Sequence, residues 1–112
     1  MSSKTAWELR KSFLSSDVSV SEWVQSWIPQ VKAKDAPLHA FLDLCEEEVL
    51  RQAKALDQNP TQNRQGLKLF GVPVALKDNL CWEGQEVTCA SKILKGFISP
   101  YEIAVIAKKL LK

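Results

Sequence analysis

The 112-residue sequence carries one histidine, one methionine, one tyrosine, four glycines and five prolines. With His39 as the sole imidazole, neither a multi-histidine metal site nor a Ser-His-Asp site is expected within the chain; beside Leu38 and Phe41 it reads as structural or solvated. The three cysteines, Cys45, Cys81 and Cys89, are odd in number, and Cys81 and Cys89 lie eight positions apart, without the Cys-x-x-Cys spacing of zinc sites. No N-terminal apolar signal segment precedes them, so reduced thiols in the cytoplasm are expected. The scattered glycines form no phosphate loop. The longest apolar run, Leu69 to Leu76, has eight residues, fewer than the ~20 that cross a bilayer, so no membrane span is expected. Nor is there an excess of one charge. Fifteen basic and thirteen acidic residues leave a net +2, spread along the chain, which by itself argues for no nucleic-acid surface.

What is present is an ordinary globular balance, 46% hydrophobic and 25% charged, compatible with one small domain. Thr5 and Glu8 form a Thr-x-x-Glu capping box ahead of Ala6, Leu9 and Phe13 at helical spacing, which predicts a helix over 6–14. Ser19 and Glu22 open a second helix with an apolar stripe of Trp23, Val24, Trp27, Ile28 and Val31, and Pro29 is expected to bend or interrupt it. The three tryptophans in this region read as packing residues and not as a stacking surface for ligands. Residues 36–42 are expected to be extended. Asp43 with Glu46 should then cap a third helix carrying Cys45, Val49, Ala53 and Leu56, closed by Gln58-Asn59-Pro60. Glu46-Glu47-Glu48 reads as helix-start charge and not as a metal cluster.

Residues 59–68 have no apolar period and are expected to form a polar loop into a strand over 69–76. Alternation puts Phe70, Val72, Val74 and Leu76 on one face of that strand and Gly71, Pro73, Ala75 and Lys77 on the other. A lysine at the end of a buried strand is desolvated, loses its proton more easily and can serve as a base. Asp78 and Asn79 follow at once, as groups that orient the amine or as an Asx turn. Gly84 marks a reversal before Val87. Ser99, Pro100 and Glu102 then have the N-cap, N1 and N3 chemistry of a helix over 99–112, with Ile103, Ile106, Ala107, Leu110 and Leu111 on its apolar stripe.

The segment from Gly71 to Leu94, GVPVALKDNLCWEGQEVTCASKIL, resembles the opening of the amidase signature family. Thr88-Cys89-Ala90-Ser91-Lys92, with Phe97 and Pro100-Tyr101, is similar to one branch of it, the A subunits of glutamyl-tRNA(Gln) amidotransferases. The resemblance implies an α/β fold: N-terminal helices lead into the first strand of a mixed sheet covered by helices, incomplete in this chain. Residues 1–112 would then be the N-terminal portion of a single amidase domain. Its parts would be a helical stretch over 1–58, a loop over 59–68, a catalytic-lysine segment over 69–98 and a truncated helix over 99–112.

The resemblance also implies a Ser-cisSer-Lys triad with Lys77 as the base, both serines belonging to a later Gly/Ser-rich segment. Asp78, Asn79, Thr88 and Ser91 are implied as supporting positions, and this stretch alone is expected to be inactive. Glutamine would be the amide donor. The amidotransferase's B and C subunits would be the partners, B handling ATP, magnesium and Glu-tRNA(Gln) and C bracing the assembly, while the A subunit itself would need no cofactor. Two other readings stay open: a stand-alone amidase of the same family, and a short non-catalytic interaction module. Lys4, Arg10 and Lys11 give the N-terminus a faint organellar-presequence character, against which Glu8 and the helix pattern from Thr5 stand.

Overall fold

The computed structural model describes residues 4–102 and divides into two compact units, the first ending at Gly66 and including Phe70–Val72, the second formed by Leu67–Leu69 and the residues from Pro73 onward. The first unit is helical: α1 (Ala6–Leu14), α2 (Val20–Asp35), α3 (Glu46–Asp57) and the single turn α4 (Thr61–Arg64). The capping box of α1 closes as expected. The Glu8 amide donates to the Thr5 hydroxyl at 3.3 Å, and the Glu8 carboxylate accepts from the Thr5 amide at 2.8 Å.

At the start of α2 one half of the expected box is in place, the Ser19 hydroxyl accepting from the Glu22 amide at 3.4 Å. The Val20 and Ser21 amides donate to the carboxylate of Asp57, at 2.8 and 3.0 Å. Asp57 is the last residue of α3, where that helix's own dipole disfavours an anion. Its position is explained by the opposite pole of α2, whose orphan amides it satisfies.

Pro29 lies inside α2, which nevertheless runs unbroken to Asp35. A proline there removes one ladder bond, at a cost of about 3 kcal/mol. Packing offsets it, because Val20, Val24 and Ile28 on one face are buried and α2 packs on α3, whose Ala53 is buried too. Trp23 and Trp27, both half-buried, stack on each other with centroids 5.5 Å apart, and Trp23 meets Phe13 edge-on at 5.9 Å. Only Trp7 stands out at 70% exposure, with the Arg10 guanidinium over its ring.

Residues 36–42 are a turn, not an extended segment. The Asp35 carbonyl accepts from Leu38 and His39, His39 has φ 51°, and the Asp35 carboxylate accepts from the Ala40 amide at 2.7 Å. Asp43 does not cap α3. Cys45 is its N-cap in a left-handed conformation without a side-chain cap, and the Asp43 carboxylate spends itself on the Cys45 amide at 2.8 Å. Within the expected loop over 59–68 stands α4, from which Arg64 donates to the carbonyls of Asn59 (2.8 Å) and Asp57 (3.0 Å), closing the carboxyl end of α3. Arg64 also lies over the buried ring of Phe70.

The strand expected over 69–76 is not paired. Leu69–Gly71 turn, with Gly71 at φ 73°, and 72–77 has no regular structure and no ladder partner among the described residues. A strand needs a neighbour for its amides and carbonyls, and the described residues supply none. In the second unit the chain reverses at Gly84, and residues 84–87 run antiparallel to 97–99. The rungs are Gly84 to Ser99 (2.9 Å), Ser99 to Gln85 (3.0 Å) and Val87 to Phe97 (3.1 Å), around the single bridge Glu86–Ile98. Ser99 and Val87 are buried there. Residues 99–102 are not helical, and the remainder of the helix expected over 99–112 lies outside the described residues. No helix among the described residues is long and apolar enough to cross a membrane.

Candidate functional site

The second unit draws together part of the set the sequence singled out. Lys77 ends the unpaired segment 72–77, and its carbonyl accepts from the Leu80 amide at 2.9 Å, so Asp78 and Asn79 occupy the centre of a tight turn. The Asp78 side chain does not form an Asx turn. It reaches ten residues along the chain, accepting from the Thr88 amide at 2.9 Å and from the Thr88 hydroxyl. The Asp78 carbonyl accepts from the Cys89 amide at 2.9 Å. Donation by the Thr88 hydroxyl, then by its amide, holds the Asp78 carboxyl below the usual carboxylate range, with a smaller contribution from the Ala90 amide.

Between Thr88 and Ser91 the chain folds back on itself, the Ser91 amide donating to the Thr88 carbonyl at 2.8 Å. The two central residues, Cys89 (φ 50°) and Ala90 (φ 59°), are both left-handed. Asn-Gly is the usual occupant of such a turn, because a β-carbon in that region costs about 1–2 kcal/mol per residue. No glycine or asparagine signalled it, and the sequence alone could not place it. The Ala90 amide donates to the Thr88 hydroxyl at 3.3 Å, so Thr88 ties both sides of the turn.

Asn79 is exposed and takes no part in this bracket. Ser91 is half-buried and serves its own loop, its hydroxyl accepting from the Ile93 amide at 3.3 Å and its carbonyl from the Leu94 amide at 3.2 Å. The expected burial of Lys77 is not found: the residue is exposed, because Val74 and Leu76 ahead of it are themselves 48% and 38% exposed and nothing among the described residues covers that edge. His39 is exposed as well. Among the described residues no group of three or more His, Cys, Asp or Glu side chains is arranged to hold a metal ion.

Among the described residues, then, Asp78 and Thr88 are brought together, while Lys77, Asn79 and Ser91 stay outside that bracket. The amidase family model matches residues 22–112, and the chain belongs to that family. Its relatives include proteins named as the A subunit of glutamyl-tRNA(Gln) amidotransferase. It is similar to those of Alkaliphilus metalliredigens (40% identical over 106 residues, 95% of this chain and 21% of the relative) and Clostridium novyi (42% over 105 residues, 94% and 22%). The protein of that name from Protochlamydia amoebophila is 41% identical over 102 residues, 91% of this chain and 21% of the relative. The chain thus spans about a fifth of the length of the curated relatives it matches.

Proposed function

We propose that the chain is the N-terminal segment of the glutamine-hydrolysing A subunit of a tRNA-dependent amidotransferase, with Lys77 as the base of a serine-lysine amidase. The observation that carries this reading is the identity of about two residues in five with proteins of that name across nearly the whole chain. Lys77, Asp78 and Asn79 stand where the sequence pattern puts the family's catalytic lysine triplet.

In this reading the Lys77 amine takes a proton relayed from a nucleophilic serine, the serine attacks the side-chain amide of glutamine, and ammonia leaves as an acyl-enzyme forms. Both serines come from a segment beyond Lys112. In the same reading the rest of the domain supplies the sheet partners of residues 72–77 and the cover for Val74 and Leu76. Ammonia passes to the B subunit, which activates Glu-tRNA(Gln) with ATP and magnesium, while the C subunit braces the assembly. The A subunit itself needs no cofactor for its amide cleavage in this reading.

The test is Lys77→Ala in the full-length protein, assembled with its partners. Glutamine hydrolysis should fall by several orders of magnitude, as on loss of a triad member. A loss under about tenfold would remove Lys77 from the chemistry. Glutamine hydrolysis that is indifferent to the partner proteins and to Glu-tRNA(Gln) would favour a stand-alone amidase.

A further inference from the structure

Cys89 and Ala90 are held in a conformation that their side chains disfavour, and such a conformation persists only where surrounding bonds over-determine it. Those bonds converge on Asp78. Its carboxylate takes the Thr88 amide and hydroxyl, its carbonyl takes the Cys89 amide, and Thr88 in turn takes the Ala90 amide. Asp78 directly follows Lys77, whose carbonyl is pinned by the Leu80 amide. The peptide joining Lys77 to Asp78 is therefore fixed by the turn it opens and by the strained turn ten residues on.

We propose that Asp78 is a positioning residue for Lys77: its bracket to Thr88 fixes the rotation of the chain at Lys77 and directs the amine toward the amide substrate. This rests on the reading of Lys77 as the base. The Leu80 amide on the Lys77 carbonyl, with the Thr88 and Cys89 amides on Asp78, holds the backbone on both sides of the Lys77–Asp78 peptide and with it the direction in which the Lys77 side chain leaves the chain. No ion pair of Lys77 occurs among the described residues.

The experiment uses the full-length protein assembled with its partners and reads kcat and KM for glutamine hydrolysis. Thr88→Val removes the hydroxyl while keeping the shape, and should lower kcat by roughly tenfold or more while KM moves less than about threefold. Thr88→Ser restores the hydroxyl and should return kcat to within about twofold of the parent. Asp78→Asn should resemble Thr88→Val, and the double variant should be no worse than the poorer single one, because both act through one bracket.

A kcat that survives Thr88→Val, an effect confined to KM, no rescue by Thr88→Ser, or losses that multiply would each overturn the proposal. Lys77→Ala, run in parallel, separates the two ideas. If it is inactive while the bracket variants are not, positioning fails and the base stands; if it is active, the base reading fails.

Discussion

The carboxylate of Asp57, at the end of α3, accepts the hydroxyl of Ser19, the N-cap of α2, at 2.8 Å, so one helix's last side chain caps the beginning of the preceding helix across 38 residues. Burial pushes this carboxyl up, but hydrogen bonds from Ser21, Ser19 and Val20 outweigh burial and leave it below the ordinary range. A depressed carboxyl contributes stability that is present above its unfolded-state pKa of about 3.9 and lost as pH falls through the lower folded value.

Acid unfolding of the chain should therefore draw in part on Asp57. Asp57→Asn is expected to lower stability by about 1 kcal/mol at neutral pH, as loss of a cap does, and to make the acid limb below about pH 4 less steep. Circular dichroism against urea at pH 7 and pH 3 checks both. Glu48, pulled down to about 2 by Arg51 and then Gln52, keeps its own share of that limb, so the slope should fall without vanishing.

Gly71 offers a sharper case. Its φ is 73°, and a β-carbon there would stand 2.5 Å and 2.9 Å from two ring carbons of Phe13, itself fully buried. Gly71→Ala combines a disfavoured backbone with overpacking and should cost about 2–4 kcal/mol. Phe13→Leu in the same chain should relieve some of that loss, giving a smaller combined cost than the two singles summed. Urea midpoints of the three variants decide it; simple additivity would mean that the ring is not what the methyl meets.

Arg64 joins two kinds of contact. Its guanidinium donates to the carbonyls of Asp57 and Asn59 and lies 5.2 Å from the Phe70 ring centroid. Arg64→Lys keeps the charge but not the planar fork, so it should lose most of what Arg64→Ala loses, about 1–3 kcal/mol. Equal stability of Arg64→Lys and the parent, by thermal or urea unfolding, would reduce the contact to simple charge at the end of a helix.

The pattern of what the sequence disclosed follows from the range of the forces involved. The bounds of α1 and its capping box depend on neighbours three or four residues apart, and both were legible. Pro29 was weighed by its local cost, whereas the unbroken α2 reflects packing on α3. The Asp57 cap, the Arg64 clamp and the Asp78–Thr88 bracket link residues 5 to 38 positions apart, beyond the three- or four-residue spacing of a cap or helix stripe. The strand expected over 69–76 from its alternation does not form among the described residues, because none of them pairs with it, and Gly71, placed among the small residues of one face, is the position where the chain turns. Lys77, expected to be buried at the end of that strand, is exposed.

The left-handed pair at Cys89 and Ala90 carries the last prediction. Ala90→Gly removes a β-carbon from a position where it is strained, while glycine makes the unfolded chain more flexible by about 0.5–1 kcal/mol. Relief of about 1–2 kcal/mol exceeds that entropy, so the variant should be modestly more stable, by up to about 1 kcal/mol. A glycine would also hold the turn without help from Thr88. Thr88→Val should accordingly cost less stability in the Ala90→Gly background than in the parent, and a double-mutant cycle of urea midpoints measures the difference. A Thr88→Val cost that is the same in both backgrounds would mean that the Thr88 hydroxyl bonds do not carry the strain of this turn.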